Sequence, residues 1–199
     1  MEAGKLLKPS NDVTADYRQY YDPESYLFTT VRATFFREGF LSAADFFCIV
    51  IWKSNRSKSK IAIKLLKNSN GYQNLDDAVR SLTSEIKQQS SGKERLRYLM
   101  KSKKWKFYLP MATAVLSVLY PDEFTIYDTR VCNVLGDFHK LSNKSRFETV
   151  WTEYNRFIAA VQKEAPEGLS LKDKDRWLWG KSFWEQLDRD VKNGFSINK

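Results

Sequence analysis

Asp128 is the residue whose type and place suit it best for chemistry. It follows a short extended step, Thr125-Ile126-Tyr127, and stands at the head of a predicted helix that opens Asp128-Thr-Arg-Val. An aspartate there is first of all an N-cap, because its carboxylate accepts unpaired amide hydrogens of the first turn. The same fixed negative charge can also stabilise a cation forming in front of it or take a proton from a water. Arg130, one turn further on, is placed to pair with Asp128 or with a phosphate. A second candidate group closes an earlier helix as Trp52-Lys53-Ser54-Asn55-Arg56. An indole and two cations at the mouth of a buried helix can hold a base by stacking and a phosphate by charge. They equally fit an ordinary helix C-terminus whose cations complement the dipole.

The elements that must position Asp128 are legible on either side of it. Leu109 to Tyr120 is an apolar run of small and branched residues, three helical turns long. Pro121 to Phe124 breaks that run, since proline lacks an amide hydrogen and fixes its own φ. The order of buried small-residue helix, short break, apolar-aromatic step and Asp-Thr resembles the helix–hairpin–helix DNA glycosylase superfamily. Met111-Ala112 falls where that family often has Thr-Ala, and Tyr127-Asp128-Thr129 where it has Val-Asp-Thr. The likeness is specific over some thirty residues, Trp105 to Leu135.

The resemblance implies an all-α fold: one compact helical domain of two lobes with a cleft, and Asp128 at that cleft. It implies hydrolysis of the N-glycosidic bond of a damaged or modified base flipped out of double-stranded DNA, with Asp128 stabilising the cationic sugar. Extruding the base costs a few kcal/mol. Trp52, Tyr127 and Trp179 are the aromatic candidates to grip it, with Lys53, Arg56 and Lys181 around them. The family's hairpin turn carries Gly-x-Gly, but Lys106-Phe107-Tyr108 has no glycine here. Lys101, Lys103, Lys104 and Lys106 are expected to hold phosphate in its place, as mobile point charges. Pro110 stands where the strand-cutting branch has its lysine, which argues for base removal without strand cleavage. Lys53 and Lys181 remain as substitute amines for a lyase step. A DNA-binding module that kept the fold and lost the chemistry is the alternative. Two cysteines, Cys48 and Cys132, are too few for the iron–sulfur cluster of some branches.

Composition agrees with such a partner without requiring it. Thirty-three Lys and Arg against 24 Asp and Glu give a formal charge of +9, which favours a polyanion or is simply a basic surface. At 199 residues and 42% hydrophobic, the chain suits one domain with a sizeable core. We expect an irregular arm over 1–22, the helical domain over 23–192 and a tail over 193–199. A monomer, cytoplasmic and nucleoid-associated if prokaryotic, with no membrane partner and no cofactor, is the simplest expectation. One histidine, His139, and two separated cysteines give no metal site.

The remaining helices follow from caps and periodicity. Asp22-Pro23 starts one that Gly39 stops, and Ser42 with Asp45 caps the next. Helices are expected over Ser57 to Lys67, Asp76 to Gln89, Lys93 to Lys101, Arg146 to Glu164 and Asp173 to Lys192. The helix after Asp128 is expected to run from Thr129 to Lys140, ending at His139 as a terminal cation. Gly180 inside the last helix costs roughly 1 kcal/mol relative to alanine, which predicts a close approach there.

Overall fold

The computed structural model describes residues 17–68 and 71–195. Residues 1–16 of the expected arm and 196–199 of the tail lie outside the described residues. Tyr17–Tyr20 forms a single 3-10 turn, with the Tyr20 ring 5.0 Å from that of Tyr26.

Caps read from the sequence set the first boundaries. Asp22 accepts the Ser25 N–H at 3.1 Å, and Pro23 opens α1 (Pro23–Tyr26). A π-helical turn, Leu27–Val31, continues into α2 (Arg32–Glu38), which ends at Gly39. Ser42 caps α3 (Ala43–Ser54) by accepting the Asp45 N–H at 3.1 Å while its hydroxyl donates to the Asp45 carboxylate at 2.8 Å. A 3-10 turn then leads into α4 (Lys58–Asn68). There follow α5 (Leu75–Gln88), α6 (Gly92–Lys101), α7 (Leu109–Leu119), α8 (Thr129–Leu135), α9 (Phe147–Glu164) and α10 (Leu171–Lys192). No strand occurs among the described residues, so the molecule is all-helical, and none of its described helices is long and apolar enough to cross a membrane.

The axis of the fold is α7. Every residue in it except Pro110 is buried, as a helix apolar on all sides must be. It packs against α2, α3 and α6, while α8, α9 and α10 form a second group joined to the first partly through α6 and α9. One continuous apolar core spans both, from Leu27 and Phe35 to Phe157 and Leu178.

Three expectations are corrected. The helix after Asp128 ends at Leu135, because Gly136 takes φ 66°, a conformation that ends a helix cheaply only at glycine. Phe138 and His139 are therefore in the turn beyond it. The Phe138 ring packs edge-on to Phe157, and His139 Nε2 lies 2.8 Å from Asn133 Oδ1. Gly180 is under no pressure, since a Cβ there would meet nothing within 4 Å. The glycine under closer contact is Gly92, where a Cβ would lie 2.7 Å from Glu123 Oε2 and 3.2 Å from Phe124 Cζ, so both side chains would have to give way.

The hairpin turn between α6 and α7 carries a further surprise. Lys106 adopts φ 44°, in the left-handed region that glycine occupies without strain. The strain is held by neighbours: Phe107 N–H donates to Leu99 O at 2.8 Å, and Lys64 Nζ donates to the Lys106 carbonyl. Lys106→Gly is expected to raise the unfolding free energy by about 0.5–1 kcal/mol, the left-handed penalty less glycine's entropy. Urea denaturation of the two proteins measures this, and a destabilised variant refutes it.

Candidate functional site

Asp128 is delivered to its place by a segment that runs back along α7. Pro121 to Glu123 is a turn closed by the Glu123 and Phe124 amides on Tyr120 O, and from Thr125 to Tyr127 the chain joins no helix or sheet, so its polar groups must find side chains. Tyr154 on α9 clamps the middle: its hydroxyl donates to the Thr125 carbonyl and accepts the Thr125 N–H at 3.2 Å. Thr113 on α7 accepts the Tyr127 N–H at 3.0 Å while its own hydroxyl donates to Leu109 O at 2.9 Å. All of these groups are buried. Tyr154→Phe strips Thr125 of both partners at once and is expected to cost about 1–3 kcal/mol. Chemical denaturation tests it; a cost near zero would mean that the clamp does not hold the segment.

So held, Asp128 caps α8, with Oδ1 accepting the Arg130 N–H at 2.9 Å. Its Oδ2 takes an ion pair from Lys53 Nζ, at the last turn of α3. The two side chains are 24% and 13% exposed, so the pair is neither sealed in the core nor freely solvated. Burial pushes the Asp128 carboxyl up, but the Lys53 charge and hydrogen bond, aided by the Arg130 amide, hold it below the usual carboxylate range.

Both members of the pair line a cavity of about 910 Å³. One wall comes from α1 and the π turn, with Glu24 and Phe28, and the opposite one from α10, with Asp175, Arg176 and Trp179. Trp52 and Thr125 complete the floor, Trp52 standing edge-on to Phe28 at 5.9 Å. Arg176 bridges the walls by donating to Glu24 at 2.7 Å. The cavity is not basic: Asp22, Glu24, Asp128 and Asp175 face Lys53, Lys172 and Arg176.

Asp175 is the residue that sequence reading did not place in the site. It is buried, and its Oδ1 accepts the Thr125 hydroxyl at 2.8 Å. Burial pushes its carboxyl up to about 7, against the pull of Thr125 and Lys53 and with help from Asp128 and Glu24. The signal was there to find: Asp175 lies four residues after Leu171 and three before Leu178, on the buried stripe of α10.

Of the residues singled out from sequence, Trp52, Lys53, Asp128 and Trp179 come together at the cavity. Arg130 stands at its edge. Its guanidinium lies 5.3 Å over the Trp179 ring and donates to Gln186 at 3.0 Å, so it serves Asp128 through its backbone amide and through its charge at a distance, not through an ion pair. Tyr127 is corrected from base pocket to packing. It is 5% exposed, edge-on to Phe157, and its hydroxyl donates to the Phe138 carbonyl at 2.7 Å. Arg56 is also outside the cavity lining, because the 3-10 turn Asn55–Ser57 leaves it exposed to solvent. Lys181 is outside too: two residues past Trp179 is the far side of the helix, where it sits 3.8 Å from Glu164 and over Trp177.

The hairpin lysines Lys101, Lys103, Lys104 and Lys106 are all exposed. Lys101 donates to Ser145 O at 2.7 Å and Lys104 lies 3.5 Å from Glu85. The contact from Lys64 to Lys106 joins the basic face of α4 to this turn, making one cationic edge. Since Tyr127 bonds to Thr113, one turn into α7, that edge and Asp128 lie toward the same end of α7. Among the described residues no group of three or more His, Cys, Asp or Glu is placed to hold a metal ion. No family model matches the chain, and no curated protein or solved structure matches it.

Proposed function

We propose that this protein is a DNA base-excision glycosylase of helix–hairpin–helix type, which hydrolyses the N-glycosidic bond of a damaged or modified base flipped out of double-stranded DNA. The observation that carries the reading is Asp128: a capping carboxylate lining a cavity with room for an extruded base and its sugar. As the C1′–N bond lengthens, positive charge builds on the deoxyribose, and a carboxylate kept ionised beside it stabilises that charge. It also orients the water that adds to C1′. Trp52 and Trp179 offer faces for the base, and the α4 and hairpin lysines a cationic edge for the phosphates. The left-handed Lys106 turn supports the hairpin assignment, because it preserves the backbone shape without the residue that usually supplies it. The protein works as a monomer in this reading and needs no cofactor. A base-release screen on duplexes carrying varied lesions, run beside Asp128→Asn, tests it. DNA binding with no release from any duplex would leave a non-catalytic module.

The Lys53–Asp128 pair favours a second reading, a glycosylase that also acts as a lyase through Lys53. Asp128 would take a proton from the ammonium, the freed amine would add to C1′ as the base departs with the bonding electrons, and an imine would form on ring opening. Lys181, on the far side of α10, has no part in it. Borohydride added during turnover is expected to give a covalent protein–DNA adduct, abolished by Lys53→Ala. Base release with no trapped adduct retires the lyase and retains the hydrolytic enzyme.

A further inference from the structure

The cavity holds a carboxyl group that the proposed chemistry does not use. Asp175 is 8% exposed. Its Oδ1 accepts the Thr125 hydroxyl at 2.8 Å, and the side chain lines the cavity, which leaves Oδ2 to face that space. The titratable and charged groups around it are Lys53 from α3, Asp128 at the head of α8, Glu24 from α1, the Tyr154 hydroxyl from α9, and Lys172 and Arg176 from its own helix. The cations are engaged elsewhere. Lys53 pairs with Asp128, Arg176 with Glu24 and Asp173, and the Lys172 ammonium lies 5.1 Å over the Phe28 ring. An ionised Asp175 would be a desolvated anion facing two others with no cation of its own, so the protonated form is favoured. Its carboxyl titrates at about 7, in line with that environment.

Resting on the glycosylase reading, we propose that Asp175 is the base-reading group of the cavity, its protonated Oδ2 donating a hydrogen bond to a carbonyl oxygen or bare ring nitrogen of the extruded base. Thr125 fixes the direction of the donor by holding Oδ1. Such a donor selects uncharged bases with a carbonyl edge, the products of deamination or oxidation. It disfavours a cationic alkylated base, which an ionised carboxylate would attract. The chemistry of excision stays with Asp128, and Asp175 acts on which base is held and at what pH.

The test is single-turnover base release from duplexes carrying uracil, hypoxanthine, 8-oxoguanine or 3-methyladenine, between about pH 5.5 and about pH 8.5. For wild type, release of a carbonyl-bearing base is expected to fall about tenfold per pH unit above a midpoint near 7. Asp175→Asn keeps a donor and the Thr125 bond but does not ionise. It is expected to retain release within about tenfold and to lose the pH dependence. A wild-type profile that is flat, or that the variant shares, overturns the proposal, as does loss of release by the variant at every pH or a preference for 3-methyladenine. If no duplex releases its base, the parent reading fails by itself. Asp175 is then judged by carboxyl-carbon NMR titration of the free protein, where a midpoint near 7 upholds the proton-bearing site and an ordinary carboxylate midpoint overturns it.

Discussion

On the glycosylase reading, Asp128→Asn is expected to slow base release by about 10²–10³-fold while DNA affinity stays within about threefold. The substitution is close to isosteric, and asparagine caps helices about as well as aspartate, so α8 keeps its start and the Arg130 amide keeps an acceptor. What goes is the negative charge beside the sugar. A second effect comes with it: Lys53, 13% exposed, loses its counter-ion, which is expected to cost about 1–3 kcal/mol of stability. The two effects separate cleanly, because the first is read by single-turnover kinetics on folded protein and the second by denaturation. The pH dependence has a definite sign. Asp128 has a depressed folded-state value, so the stability from its pair is present at neutral pH and lost as pH falls through that depressed value. Activity should fade over the same acid range as the carboxylate takes a proton. Wild-type rates in the asparagine variant would remove Asp128 from the chemistry.

Asp175→Asn is expected to stabilise the fold, and more so at alkaline pH. Here the folded-state value is raised, to about 7, while an unfolded aspartate ionises near 3.9. Between those values folding takes up a proton. Stability from Asp175 is therefore fully present below about pH 4, falls as pH rises, and is lost above about pH 7. The uncharged variant escapes that loss. Its advantage should be roughly 2–4 kcal/mol near pH 8, about 1 kcal/mol near pH 5, and nothing below about pH 4. Thermal or urea unfolding of both proteins across that range measures it directly. Parallel pH curves would show that the buried carboxyl ionises as easily in the fold as out of it.

Much of the scaffold was legible because its signals are local. Asp22-Pro23, Ser42 with Asp45, and Asp128 each mark a helix start by the hydrogen bonds a short polar side chain makes to the next turn, and each does so in the structure. Leu109 to Leu119 had to be buried because no face of it is polar. The site was legible only in part, for two physical reasons. The Lys53–Asp128 pair spans 75 residues, and no periodicity reports a contact made only when α3 and α8 meet. Rotational phase is the second reason. Tyr127, Arg56 and Lys181 sit within a few residues of cavity positions, yet turn to the core, to solvent and to α9. Thr113 and Tyr154, which hold the segment in place, bond to backbone 14 and 29 residues away, a separation that no local pattern reports. Thr113 and Ser117, the two hydroxyls inside an otherwise apolar helix, were the available clue.

The π turn at Leu27–Val31 explains how one helix serves two environments. In a regular α-helix, residues spaced by four drift about 40° around the axis at each step. Leu27, Val31 and Phe35 are spaced by four and all point inward. The wider turn absorbs that drift, so the inward-facing row stays straight and the neighbouring row, Glu24 and Phe28, keeps one wall of the hollow. Excising one residue from this bulge would restore ordinary winding and rotate Glu24 out of reach of Arg176. The hollow would then lose its crossbar, although none of the residues that line it had been replaced.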